Sequence, residues 1–362
     1  MVTTDSIINV NLLSLSEGFR NTINGRHTNL FVLKNNQNMQ VAVTNFGARI
    51  VSILVPCKNG KLIDVIVGPD SLEGFLKSKE AFFGAIIGRF GNRISNGKFT
   101  INGNNYSLDK NIGSHHLHGG KNGFHNVVWE AHKVSDQLVE FKYLSKDNEE
   151  GYPGNLQVTV SYSLTDSNEL KINYVATTEK PTIVNLTSHG FFNLNGCGSG
   201  KIDNHTIMIN ADGFTLVNAD VITTGEIQKV EGTPFDFRNA TRIGQRLEEE
   251  DIQLKYGSGY DHNFVLNKKQ GQTMQLAAKT QGDLTKIIME VYTEEPGMQF
   301  YGGNFLQGVN KIKQGNTDNF RTAFCLETQH FPNSPNHSHF PSVLLNPGQV
   351  YSTSTSYKFS AE

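Results

Sequence analysis

The chain has 362 residues and carries 32 basic against 34 acidic side chains, for a net charge of −2. That length can bury one large core or two ordinary ones, and the even spread of charge marks neither a nucleic-acid face nor a charged partner. The longest apolar runs, such as Val65–Val67 and Phe82–Ile87, are too short to span a bilayer, and Met1 to Asn11 has no basic lead-in and does not read as a signal peptide.

Taken in chain order, the hydrophobic period is mostly two. Residues 39–46 and 49–55 alternate as short, partly buried strands. Residues 71–79 are expected to form a short helix. Residues 97–108 read as a hairpin turning on Asn102-Gly103, a pair that accepts the positive φ angles of a tight turn. Further strands are predicted at 138–144, 156–164, 170–177, 206–210, 286–292 and 342–346, with a second helix at 241–254 capped by Thr241. Asp212-Gly213 and Asn346-Pro347-Gly348 read as turns. The 35 glycines between aromatic and β-branched runs, with 23 phenylalanines and 11 tyrosines, favour an all-β chain. Sandwich-like packing follows, and the pattern alone leaves one extended sandwich and two stacked β domains open. Three widely spaced cysteines, Cys57, Cys197 and Cys325, offer no disulfide framework or thiolate metal site. Each reads as a small buried hydrophobe in a reduced, cytoplasmic setting.

Chemistry is concentrated in a few polar clusters set in apolar, turn-rich context. These are GRFGNRI (88–94), SHHLHGG (114–120), NLTSHGFFNL (185–194), GYDHNF (259–264), EEPGMQFYGGNF (294–305) and FCLETQ (324–329). Each has a plain reading beside a functional one. Arg89 and Arg93 pair by default with surface carboxylates. His115, His116 and His118 lack the spacing of a zinc site, so no metal is expected. His189 alone reads as a satisfied core histidine. Glu327 stands in a strand-like run where an ionised carboxylate is costly without a partner, which hints at function.

Together with NFGARI (45–50), GAIIGRFGNRI (84–94), EEGYPGNL (149–156), GTPFDFR (232–238), PGMQFYGGNF (296–305) and LLNPGQVY (344–351), the clusters resemble in order the aldose 1-epimerase (galactose mutarotase) family from about residue 39 to residue 359. The resemblance implies one large β-sandwich of the galactose mutarotase type over residues 1–362, with a few short helices. It implies an isomerase that interconverts the α and β anomers of free aldoses such as galactose and glucose, with a monosaccharide as its partner and no cofactor. Carried over by position, Glu327 resembles the general base and His189 the general acid. Asn92, Arg93, His118, Asp261 and Gln299 resemble residues that hold sugar hydroxyls or orient the ring.

The residue types suit that chemistry. Ring opening removes a proton from the C1 hydroxyl while protonating the ring oxygen. A carboxylate serves as base and an imidazolium as acid. Asp261 can accept two hydroxyl protons, and Tyr301 can offer a flat face to the ring. Two positions depart from the family pattern. Ser188 stands where an asparagine usually precedes the acid, and Phe191 where a tyrosine usually follows it. Those departures keep open a sugar-binding or sensing protein without turnover. The carboxyl pair Asp261 and Glu327 keeps open a glycoside hydrolase. No role follows for His115, His116, His337 or His339.

Overall fold

The computed structural model describes residues 12–362; the N-terminal stretch read above for a signal peptide lies outside them. Where Val, Leu and Tyr alternate with polar residues, the chain forms long strands with one buried face. Leu156–Leu164 turns Leu156, Val158, Val160, Tyr162 and Leu164 inward, over the range the sequence predicts. It pairs antiparallel with Glu169–Thr178, and Tyr351–Ala361 then joins Glu169–Thr178 to Ile287–Thr293. The resulting nine-stranded sheet runs in the order 130–135, 138–145, 156–164, 169–178, 351–361, 287–293, 275–281, 206–209 and 241–242. Its middle strand is the last in sequence, so the two halves of the chain share one sheet.

A five-stranded sheet orders strands 223–229, 211–217, 261–266, 297–301 and 325–329, and a four-stranded one orders 30–34, 40–44, 49–56 and 62–64. One apolar cluster takes Val41 from the four-stranded sheet, Val158 from the nine-stranded sheet and Phe300 from the five-stranded sheet. The architecture is an all-β sandwich. Within this core the Phe300 ring packs 5.3 Å from Tyr260 and 5.7 Å from Phe237. Truncating such a ring to alanine typically costs about 3–5 kcal/mol.

Local chemistry explains where expectation and structure agree. Asn102 and Gly103, with φ of 51° and 81°, turn the hairpin between Lys98–Ile101 and Asn104–Ser107. The first helix is Leu72–Lys77, and Ser71 Oγ accepts from the Gly74 N–H at its start.

The second helix differs. Thr241–Arg242 is an edge strand, Ile243–Arg246 a 3-10 turn, and only Ile252–Gly257 is α-helical, capped by Asp251 rather than Thr241. The acidic run Glu248–Asp251 interrupts the apolar face a continuous helix needs, and the Asp251 carboxylate takes the Gln253 and Leu254 N–H groups. Asp212-Gly213 is not a turn but lies within Ala211–Val217, where the pairing shifts register between Ala211 and Gly213, a bulge that glycine tolerates. The 342–346 strand shortens to Leu344–Leu345.

Candidate active site

Strand alternation builds the floor of the site. Gln299 pairs with Asn263 on one side and Glu327 on the other, and Tyr301 pairs with Asp261 and Cys325. Side chains opposite each other in an antiparallel pair share a face, as do residues two apart. Asp261, Asn263, Gln299, Tyr301, Cys325, Glu327 and Gln329 therefore project from one side of the five-stranded sheet. His262, Phe264, Met298, Phe300 and Leu326 project from the other. The His262 ring packs 4.6 Å from Phe235, so the histidine beside Asp261 is a core residue.

The opposite wall comes from loops with close backbone approach. Arg93–Ile94 pairs with His116–Leu117, and Ile86–Ile87 pairs with Thr187–Ser188, which delivers His189. Gly119 has φ of 80°, and a Cβ there would sit 1.8 Å from the Gly88 carbonyl oxygen. Gly84, at φ 67°, donates its N–H to the His189 carbonyl at 3.0 Å and would meet the Ile50 carbonyl oxygen if it had a side chain.

The seven residues singled out from the sequence are all buried. Strand register and close contacts bring them together. His189 Nε2 lies 3.6 Å from Glu327 Oε1. The Arg93 guanidinium lies 3.6 Å from one Asp261 oxygen, and the other accepts from Gln299 Nε2 at 2.7 Å. The Asn92 N–H donates to His118 Nδ1 at 3.0 Å, and the His118 ring stands edge-on to His189 at 5.2 Å. Glu327 Oε2, Gln299 Oε1, His189 Nδ1 and both polar atoms of the Asn263 and Gln329 side chains have no partner within the protein. Such a row of buried, unpaired donors and acceptors suits a ligand covered with hydroxyls.

Burial governs the electrostatics. It pushes the His189 imidazole down to about 3, with Arg49 adding to the effect. It raises the Glu327 carboxyl well above the usual range, reinforced by Asp261 and opposed by Arg93. His118 is held well below its ordinary value by burial and then by the neighbouring His189.

His118, His189 and Glu327 each place an atom within 4.8 Å of the others, which raises the question of a metal. The Asn92 N–H fills the Nδ1 lone pair of His118, so a neutral His118 carries its proton on Nε2. Neither nitrogen then offers a free lone pair, and the residues fit a hydrogen-bonding site better than a metal centre.

Other expectations are corrected. Arg89 is not a surface residue but is 2 % exposed, donating to Ser145 Oγ and to the carbonyls of Ser145, Lys146 and Pro153. Arg93 pairs with a buried carboxylate, not a surface one. Cys325 is buried, but Cys57 and Cys197 are only partly so. The histidines left without roles are tethers. His115 Nδ1 accepts from the Asn96 N–H, while His116 bridges the Asp109 carbonyl and the Tyr152 hydroxyl. His337 and His339 reach the carbonyls of Thr223 and Gly225.

Sequence reasoning missed Phe82, whose ring lies 4.6, 4.8 and 5.8 Å from the rings of His118, His125 and His189. It also missed Asn263 and Gln329, which the alternation of GYDHNF and FCLETQ places on the face of Asp261 and Glu327. A cavity of about 840 Å³ lies elsewhere, against Lys268, Glu295 and His330. There the Glu295 and His330 side chains already satisfy each other at 2.6 Å. Chemistry, not volume, locates the site.

A buried carboxyl facing an imidazole, ringed by unpaired polar groups on a β-sandwich, defines a carbohydrate-handling protein of the acid–base type. Residues 29–358 match the aldose 1-epimerase family. The chain is 43% identical to a galactose mutarotase of Bos taurus over 91% of its length and 93% of that protein's. It is 38% identical to the aldose 1-epimerase of Escherichia coli K12, covering 93% and 97% of the two chains. Its fold matches the crystal structure of an aldose epimerase homologue from C. elegans with a TM-score of 0.85 at 30% identity, covering 92% of this chain and 99% of that one. The chain belongs to the aldose 1-epimerase family. It is an isomerase that interconverts the α and β anomers of aldoses.

Proposed function

We propose that Glu327 is the general base and His189 the general acid of this interconversion, acting on free aldoses such as galactose and glucose. The observation that carries the assignment is the 3.6 Å approach of His189 Nε2 to Glu327 Oε1. That separation is too long for a good hydrogen bond between them, but it suits two oxygens bonded to the same carbon, O1 and O5 of a pyranose.

The proton account balances. Glu327 takes the proton from the C1 hydroxyl while His189 gives one to O5. The C1–O5 bond breaks, leaving an aldehyde at C1 and a hydroxyl at C5. Rotation about C1–C2 presents the other carbonyl face, and closure returns both protons. Opening begins with a carboxylate and an imidazolium and ends with both groups neutral. Burial favours the neutral pair, so the protein helps the ring open. Each positioned group typically contributes about 10²–10⁴-fold.

Asn92, Arg93, His118, Asp261 and Gln299 hold the sugar. His118 donates through Nε2, and the Arg93–Asp261–Gln299 chain fixes an acceptor for hydroxyls. Held by Gln299 and lying beside the Arg93 guanidinium, Asp261 suits a holder of hydroxyls better than the partner carboxyl a glycoside hydrolase requires. The nine-stranded sheet, shared by both halves of the chain, supports a single domain over 1–362. Three free thiols support a reducing, cytoplasmic setting. No described helix is long and apolar enough to cross a membrane.

Polarimetry of freshly dissolved α-galactose and α-glucose tests the reading. The protein is expected to speed the approach to anomeric equilibrium, and a rate equal to buffer with folded protein overturns it.

A further inference from the structure

His189 is held in an unusual way. A buried imidazole is commonly oriented by a hydrogen bond on the nitrogen remote from the reaction, but His189 Nδ1 has no such partner. The hydrogen-bonding group that favours the charged ring is the carbonyl of His189 itself, which also accepts from the Gly84 N–H. Two near-parallel phenylalanine rings do pack against the imidazole. Phe191 stacks on it, with centroids 4.9 Å apart and planes 14° from parallel, and Phe82 lies near-parallel to it at 5.8 Å and 16°. Phe191 is itself anchored by Phe83 at 4.7 Å and Tyr301 at 6.2 Å. Phe82 is fixed by its N–H, which donates to Glu80 Oε1 at 3.0 Å.

We propose that Phe82 and Phe191 are positioning residues that hold the His189 ring against near-parallel aromatic rings and stabilise its charged, proton-donating form by cation–π attraction. This rests on the reading of His189 as the acid. Beyond the His189 carbonyl, the polar groups facing the ring do not supply that stabilisation throughout the reaction. Arg49 opposes a positive charge on the ring, and the imidazoles of His118 and His125 are themselves held neutral by burial. Glu327 favours it, but loses its own charge as it takes the proton from C1–OH. The ring faces keep their negative quadrupole throughout, and in a desolvated site they act at full strength. A phenyl ring at 191 therefore suffices for this purpose, and the absence of the tyrosine hydroxyl usual in the family does not remove the acid.

The test compares Phe191→Leu with Phe191→Tyr, and Phe82→Leu as a second site, on the full chain. Leucine keeps apolar bulk but has no π face. Phe191→Leu is expected to lower kcat about tenfold with KM within about twofold, equivalent to one unit in the protonation of His189. The acid limb of the kcat profile should move down while the alkaline limb stays. Phe191→Tyr restores wild-type kcat, and Phe82→Leu, at the longer distance, gives a smaller loss of the same kind. The proposal is overturned if Phe191→Leu keeps kcat, or if Phe191→Tyr fails as Phe191→Leu does. Phe82 is only partly buried, so its variant remains informative should Phe191→Leu not fold. His189→Asn separates this from the acid assignment, since an active His189→Asn overturns the acid role whatever the phenylalanine variants do.

Discussion

His189 and Glu327 face each other at 3.6 Å, and burial drives both toward their neutral forms. Two groups so close titrate as a unit, so the pH profile belongs to the pair. The active enzyme carries one proton shared between them. A second proton must enter an imidazole pushed down to about 3, and the last must leave a carboxyl raised well above its usual range. Independent groups near 4.3 and 6.5 would give a narrow bell between those values. The expected kcat profile is instead a plateau that covers both, with its acid limb toward the depressed imidazole value of about 3 and its alkaline limb above 6.5. A sharp maximum near pH 5.5 in stopped-flow polarimetry would falsify the coupled description.

Removing either member should stop the relay. Glu327→Gln and His189→Asn are each expected to lower kcat by about 10²–10⁴-fold. Because proton removal and donation are one event, the double variant should be little worse than the poorer single one. Losses that multiply would show that the two residues act in separate steps.

Arg93 and Asp261 predict a separation of stability from binding. Arg93→Ala strands a buried carboxylate with only Gln299 as donor, a loss of about 3–5 kcal/mol in urea unfolding. Adding Asp261→Asn removes the stranded charge and should recover much of that stability. It should not recover sugar affinity, since both groups of the holder are then gone. Recovery of galactose binding by calorimetry in the double variant would contradict the role given to this pair.

Acid should weaken the fold before it reaches the carboxylates. Burial depresses His118, His125, His189 and His262, which stay neutral when folded but bind protons near pH 6.5 once unfolded. Their contribution is present above that value and is lost as pH falls below it, at up to about 1.4 kcal/mol per pH unit for each group. Glu80, pushed up to about 7, and Glu327 act in the opposite direction but are fewer. The urea midpoint is expected to drop between pH 7.5 and pH 5.5, and a rise would show that these imidazoles are charged in the folded state.

The sequence makes these arguments possible only in part. Alternation marks 156–164 and the 97–108 hairpin because one face is buried and the turn needs Asn-Gly. It fails at Thr241, where Thr206↔Arg242 and Ile207↔Thr241 pairing outweighs local helix signals. The motifs carry Asn92, Arg93, His118, His189, Asp261, Gln299 and Glu327, each in a distinctive polar setting. Phe82 carries no such mark. Among so many phenylalanines it looks like core, and only tertiary packing puts it over three imidazoles. Arg89 is invisible for a related reason, because its partners are backbone carbonyls, which any sequence has.

His118 supplies a last test of the polar wall. With Nδ1 accepting from the Asn92 N–H, its neutral ring carries the proton on Nε2 and can only donate to the sugar. His118→Gln retains a side-chain N–H donor at similar reach, whereas His118→Ala retains none. KM for galactose should rise about tenfold or more in His118→Ala and clearly less in His118→Gln, because a hydroxyl left without its donor in a buried site costs about 1–3 kcal/mol. Nitrogen NMR of labelled protein should show His118 Nδ1 unprotonated down to pH 5, since burial and His189 both oppose its charge. A protonated Nδ1 at neutral pH would remove the donor argument and reopen the three-residue cluster to metal binding.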